Sequence, residues 1–142
     1  MRIERSALVS HSAPDMYQLV EDVRSYPLFL SWCTETFLHE QDETMQKAEL
    51  VVLVAGIKQR FTTLNTLVKG ERVAMKLLRG PFRTLSGEWC FKQLGEDGSR
   101  VSLNLDFEIS KGPLARVFGK GFGHIADRLV VDFCKRADVV YG

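Results

Sequence analysis

The sequence is poor in the residues that staple or metallate small folds. Its three cysteines, Cys33, Cys90 and Cys134, lie far apart. An odd number without paired spacing argues against both a disulfide framework and a zinc site, and the expected compartment is a reducing cytoplasm. Histidine is equally scarce. His11, His39 and His124 are scattered, and none belongs to a motif that sets it beside a nucleophile or carboxylate. No catalytic residue and no metal site are therefore expected, despite the ring's convenient pKa. No apolar run approaches the roughly 18 residues of a membrane span. The opening stretch, MRIERSALVS, lacks the continuous apolar core of a secretion signal. No repeat, low-complexity tract or linker divides the chain, so a single domain over 1–142 is expected.

What is present suits a folded domain: 45% hydrophobic and 26% charged residues over 142 positions allow a sizeable core. The net charge of +1 hides an uneven distribution. Residues 1–57 carry nine acids against four bases, whereas residues 58–87 carry Lys58, Arg60, Lys69, Arg72, Lys76, Arg79 and Arg83 against Glu71 alone. Such a block can attract RNA phosphates or a lipid headgroup. It can equally be the solvated face of strands protected from edge pairing.

Hydrophobic periodicity gives the element order. Residues 3–9 read as a strand. Ser12 precedes APDMYQLVEDV, where Met16, Leu19, Val20 and Val23 recur at helical spacing, and Pro27 ends that helix or begins a second short one. Between Trp32 and Ile109 the period becomes two. Ala48, Leu50, Val52 and Val54 share a face, as do Val73, Met75 and Leu77, then Leu85, Gly87, Trp89 and Phe91, then Val101, Leu103, Leu105, Phe107 and Ile109. For 58–68 the inward face stays open between Phe61/Thr63/Asn65 and Leu64/Val68. From Pro113 to about residue 140 helical spacing returns, with Phe118, Phe122, Ile125, Leu129 and Phe133 as a stripe widened by Ala126, Val130 and Ala137. A helix of about 25 residues would be roughly 38 Å long. Strands in a run followed by one helix predict an α+β fold, a curved antiparallel sheet of about seven strands gripping the helix.

Two stretches are unusual. VRSYPLFLSWC, residues 23–33, gathers Tyr26, Phe29, Leu30 and Trp32 where a first helix should end. It is either a plug for the end of the core or a lid over a cavity. FGKGFGH places Gly119, Gly121 and Gly123 inside a helical stripe, each costing about 1 kcal/mol relative to alanine. A close approach, a kink or an opening would explain them. No strand leads into this run, so it is not a dinucleotide fingerprint.

VRSYPLFLSWCTE, LLRGPFRTLSGEWCFKQL, VSLNLDFEI and VDFCKRADVVYG together resemble the coenzyme Q-binding START-like family, within the polyketide cyclase/dehydrase and lipid transport superfamily. The match is nearest to its bacterial ribosome association toxin branch. Ser31 departs from the pattern, standing where the family usually has a proline. The resemblance implies a helix-grip (START/Bet v 1-like) domain with an apolar cavity between sheet and C-terminal helix, and Tyr26–Trp32 in its wall or lid. It implies ubiquinone or another polyprenyl lipid as bound ligand, supporting respiration, with no further cofactor required. Tyr26, Phe29, Leu30, Trp32, Phe61, Met75, Trp89, Phe91, Phe107, Phe118 and Phe122 are the expected ligand contacts, and Asn65, Thr63 and Tyr26 the expected donors to a quinone head. The alternative is a ribosome-binding toxin that blocks subunit association through the basic block, using Lys58, Arg60, Lys69, Arg72, Lys76, Arg79 and Arg83 on RNA of the large subunit. The two roles can coexist, transient membrane-surface contact is compatible with either, and no DNA partner is expected. A polyketide cyclase is the third reading, and no convincing acid/base pair supports it.

Overall fold

Ser12 separates the first two elements. Strand β1 spans Arg2–Val9, and the computed structural model, which describes residues 1–142, places helix α1 at Ala13–Glu21. The Ser12 Oγ accepts the Asp15 N–H at 3.2 Å, satisfying one of the unpaired amides of the first turn. Helix α1 buries Ala13, Met16, Tyr17 and Val20. Pro27 does not simply stop the chain. It sits inside a short 3₁₀ helix, Val23–Leu28, whose Tyr26 carbonyl accepts both the Phe29 and Leu30 amides.

Six further strands follow: β2 Cys33–Gln41, β3 Met45–Val54, β4 Ile57–Val68, β5 Arg72–Arg79, β6 Phe82–Leu94 and β7 Gly98–Ile109. All pair antiparallel, in the order β1-β7-β6-β5-β4-β3-β2, so β1 and β2 form the edges. The β3–β4 link is a two-residue turn, Ala55 and Gly56, with φ of 51° and 77°. Positive φ at both positions is the type I′ geometry that matches strand twist. The open question of β4 has an answer. Phe61, Thr63, Asn65 and Leu67 are buried, while Leu64 and Val68 are only half-buried on the other face.

Helix α2, Pro113–Tyr141, closes the concave side of the sheet and completes the α+β helix-grip architecture. Its buried stripe is Phe118, Phe122, Ala126, Val130, Phe133 and Ala137. Ile125 and Leu129 are half-buried beside it, so the centre of the stripe lies a little to one side of its expected position. One cluster of 29 buried residues joins every layer.

The glycines of α2 serve close approach, and the helix runs through them unbroken. A Cβ at Gly119 would lie 2.4 Å from Ile109 Cγ1, and one at Gly121 would lie 2.4 Å from Val54 Cγ1. Helix, β7 and the β3–β4 turn are therefore in backbone-limited contact. At Gly123 the nearest atom is Met1 Sδ, 3.1 Å away on an exposed, flexible side chain. Gly119→Ala should lower stability by about 1–2 kcal/mol, because overpacking outweighs the gain in helix propensity. Gly123→Ala should raise it by up to about 1 kcal/mol. Urea unfolding of the two variants tests both signs.

Candidate ligand cavity

The inward faces of β3 to β7 do not meet α2 everywhere. Between them lies an apolar cavity of about 80 Å³ lined by 18 residues, 16 of them hydrophobic. The strands supply Ala48, Leu50, Phe61, Met75, Leu85, Trp89, Leu103 and Leu105. The helix supplies Phe122, Ile125, Leu129 and Phe133, and the segment before β2 supplies Val23, Tyr26, Leu30 and Trp32. Thr63 and Asn65 are the two polar exceptions. The volume is well below the about 300–1,000 Å³ of ordinary small-molecule pockets. A long ligand can enter only if side chains of the wall move outward.

Seven of the eleven ligand contacts expected from the sequence line this space: Tyr26, Leu30, Trp32, Phe61, Met75, Trp89 and Phe122. Four do not. Phe29 packs against Phe133 at 5.2 Å between ring centroids, under the Arg136 guanidinium. Phe91 is taken up by Tyr17 and Trp89. Phe107 and Phe118 belong to a solid aromatic cluster around Phe82 and Phe122. Phe91 and Phe107 point inward as strand alternation predicts, and Phe118 as helical spacing predicts, but other rings fill the space in front of them. The lining residues missed by sequence reasoning, such as Leu50, Leu85, Leu103 and Leu105, lie on the same alternating faces. Aromatic size drew attention away from them.

Most polar groups at the cavity are hydrogen-bonded within the protein. Thr63 Oγ1 donates to Asn65 Oδ1 at 2.9 Å, and Asn65 Nδ2 donates to Gln46 Oε1 at 2.8 Å. Gln46, fully buried, donates onward to the Glu21 carbonyl and to Gln41 Oε1, both at 2.9 Å. The Tyr26 hydroxyl donates to the Val20 carbonyl. Burial above all, then the neighbouring Cys33, Asp22 and Glu21, pushes its pKa up. Of the three donors expected for a quinone head, only Asn65 keeps a free N–H. Trp32 adds another feature, since its Nε1 is buried without a hydrogen-bond partner. Trp32, Leu30 and Ile125 also border an outer depression with Phe29, Ser31, His124, Arg128 and Asp132. The lid and plug readings thus meet in one segment. It packs like core, yet it is the wall between cavity and solvent.

Groups suited to chemistry lie elsewhere. Burial pushes the Cys33 thiol up to about 11. Cys90 is half-buried on the outer face of β6, its thiol donating to Glu88 at 3.0 Å, and burial with that carboxylate raises it to about 11. Two histidines do find carboxylates through space, His11 with Asp138 and His39 with Glu49, each at 2.8 Å. Neither histidine lines the cavity. The His39 bond, followed by Arg60, holds Glu49 below its usual range.

The basic block does not fold into one patch. Arg60 pairs with Glu49 at 3.2 Å, and Arg72 approaches Glu88 at 3.9 Å. Lys69 follows β4, while Arg79 and Arg83 flank the opposite turn, between β5 and β6. Lys58, Lys69, Lys76, Arg79 and Arg83 are exposed and outside the ion pairs.

The buried polar chain makes a sharp test of this site. Asn65→Ala should cost about 2–4 kcal/mol of stability, because it strands Gln46 Oε1 and the Thr63 hydroxyl in an apolar surround. Asn65→Ala together with Gln46→Leu should cost much less than the sum of the two single changes, since the bond between the two side chains is lost only once. Denaturant unfolding of the four proteins measures the coupling.

Residues 9–134 match the family model described as polyketide cyclase/dehydrase and lipid transport. The chain is 43% identical over 141 residues to the ribosome association toxin RatA of Pseudomonas aeruginosa, covering 99% of this chain and 97% of that one. It is 32% identical to the mitochondrial coenzyme Q-binding protein COQ10 of Drosophila melanogaster over 75% of this chain and 44% of that protein. Among solved structures, the ZhuI aromatase/cyclase of a Streptomyces species superposes with a TM-score of 0.85 at 18% identity, over 97% of this chain and 93% of that one. At that identity the likeness concerns the fold alone. With the family model spanning most of the sequence, the chain belongs to the polyketide cyclase/dehydrase and lipid transport family.

Proposed function

We propose that the protein associates with the ribosome, and that its cavity takes a hydrophobic, chain-like ligand such as a polyprenyl quinone. The ribosome reading is carried by likeness to a ribosome association toxin along almost the whole of both chains. The unpaired cations on the sheet surface are compatible with RNA phosphates. On this reading the protein acts in the cytoplasm and its partner is the large subunit. Association should weaken with rising salt as counterions return to the phosphates. Lys69→Glu with Lys76→Glu should lower co-sedimentation with large subunits about tenfold or more and flatten the salt dependence by about two in log–log slope. Sucrose-gradient sedimentation across a salt series tests this; an unchanged slope moves the contact to another surface.

The ligand reading rests on the cavity. A wall of aliphatic and aromatic groups suits an isoprenoid tail, each buried methylene contributing about 0.8 kcal/mol. Likeness to a coenzyme Q-binding protein points the same way. We read the protein as a binder and not as an enzyme. The cavity's polar members, Thr63 and Asn65, are poor proton-transfer groups, and the Tyr26 phenol is tied to Val20. Ubiquinone held this way needs no additional cofactor and would serve respiration. Ile125→Trp, placed where the helix meets the lid segment, should thicken the wall shared by the outer depression and the cavity. It should reduce lipid recovered by native mass spectrometry at least several-fold while leaving ribosome sedimentation unchanged. An equal loss of both would join the two roles at one surface.

A further inference from the structure

Three elements converge at one end of the cup. The β3–β4 turn touches α2 at Gly121, Ile109 at the end of β7 touches it at Gly119, and the Ser110 amide donates to the Pro81 carbonyl of the β5–β6 turn. The segments that form this end, 53–58, 78–84 and 108–121, contain six bases and one acid, Glu108. Lys58, Arg79 and Arg83 come from the hairpins; Lys111, Arg116 and Lys120 come from the start of α2. All six are exposed and none takes part in an ion pair. The charge is invisible as a block in the sequence, because half of it arrives from residues far beyond 58–83.

The same end is also apolar. Leu114 is 71% exposed and Val117 50%, and both hairpins add a half-exposed leucine, Leu53 and Leu78. Leu114 lies one helical turn before Phe118 and two before Phe122, so it continues the buried ridge of α2 beyond the edge of the sheet. Nothing in the chain covers it. Protruding apolar side chains on the same end as unpaired cations match a bilayer surface, which offers acyl chains beneath anionic headgroups. RNA would answer the cations and leave the leucines in water.

We propose that this end of the protein docks on anionic lipid membranes, with Leu114 and Val117 inserted at the acyl boundary and the six cations at headgroup level. The contact goes beyond ribosome association and does not require the cavity to be filled. The probe is co-sedimentation of the full chain with vesicles of phosphatidylcholine, with and without about a third of phosphatidylglycerol. Binding is expected only with the anionic lipid. Leu114→Ser with Val117→Ser should weaken it about tenfold at unchanged charge. Lys111→Gln, Arg116→Gln and Lys120→Gln together should abolish it. The substituted side chains are exposed, and circular dichroism verifies that the variants fold. The proposal is overturned if the wild-type chain ignores anionic vesicles. It is also overturned if the serine pair binds as tightly as wild type while the glutamine triple does not, since that pattern marks a polyanion surface such as one for RNA. Retained ribosome sedimentation in a chain that ignores vesicles would overturn this contact alone.

Discussion

A seven-stranded sheet with one concave face needs a cover, and α2 is the element long enough to supply it. The rest of the structure follows from how closely that helix can come. Gly119 and Gly121 remove the two side chains that would hold α2 off Ile109 and Val54. Contact at that end is tight enough for Phe61, Phe82, Phe107, Phe118 and Phe122 to pack edge to face, with centroids 4.9 to 6.1 Å apart in most pairs. Such pairs add a directional contribution to their burial. Farther along, the wall changes to Leu50, Leu85, Leu103 and Leu105 facing Ile125 and Leu129, and there the layers leave a gap. The cavity lies beyond that cluster, where six aromatic side chains share the wall with aliphatic ones. Its position is a consequence of residue choice on a helix already anchored at one end.

Much of this was legible in the sequence because alternation and helical spacing report directly on which face is buried. The strands β3, β6 and β7, the Ser12 cap and the start of α2 at Pro113 are all where period and capping chemistry put them. What resisted reading depends on long-range neighbours. β4 carries threonine and asparagine inward, and only the partner Gln46, across the β3–β4 pair, makes that burial tolerable. Gln46 itself sits in a strand whose apolar alternation begins two residues later, so nothing in the local pattern marks it as buried. The sequence singles out only part of the cavity wall for a related reason. Inward orientation is a local property, whereas lining a cavity depends on what stands opposite. Phe107 and Phe118 point inward toward other rings, and Leu103 and Leu105 point inward toward space.

The basic block shows the same limit in reverse. Seven cations close in sequence become separate groups once β4, β5 and β6 fold back on each other. Arg60 and Arg72 are drawn to Glu49 and Glu88, and Lys69 ends up far along the strands from Arg83. Exposed pairs of that kind contribute little to stability, but they dilute the potential an anionic partner would meet. The stronger concentration of charge is assembled from the two hairpins and α2, and it sits beside apolar surface.

That coincidence ties the two ends of the helix ridge together. Leu114, Phe118 and Phe122 follow one another at i, i+4 spacing. The first is open to solvent, the second is buried, and the third borders the cavity. A molecule with a long apolar tail leaving a bilayer at Leu114 would meet apolar side chains at each step toward Phe122. The tight contacts at Gly119 and Gly121 block a direct path through that end. The weaker wall is the Leu30–Trp32 segment against Ile125, where an indole N–H is already buried without a partner at a cost of about 1–3 kcal/mol. Opening there would relieve that cost, and the glycine contacts would keep the helix anchored. A fixed end and a yielding wall are what one short helix-grip domain would need to hold its fold while taking up the ligand proposed above, which is larger than its resting cavity.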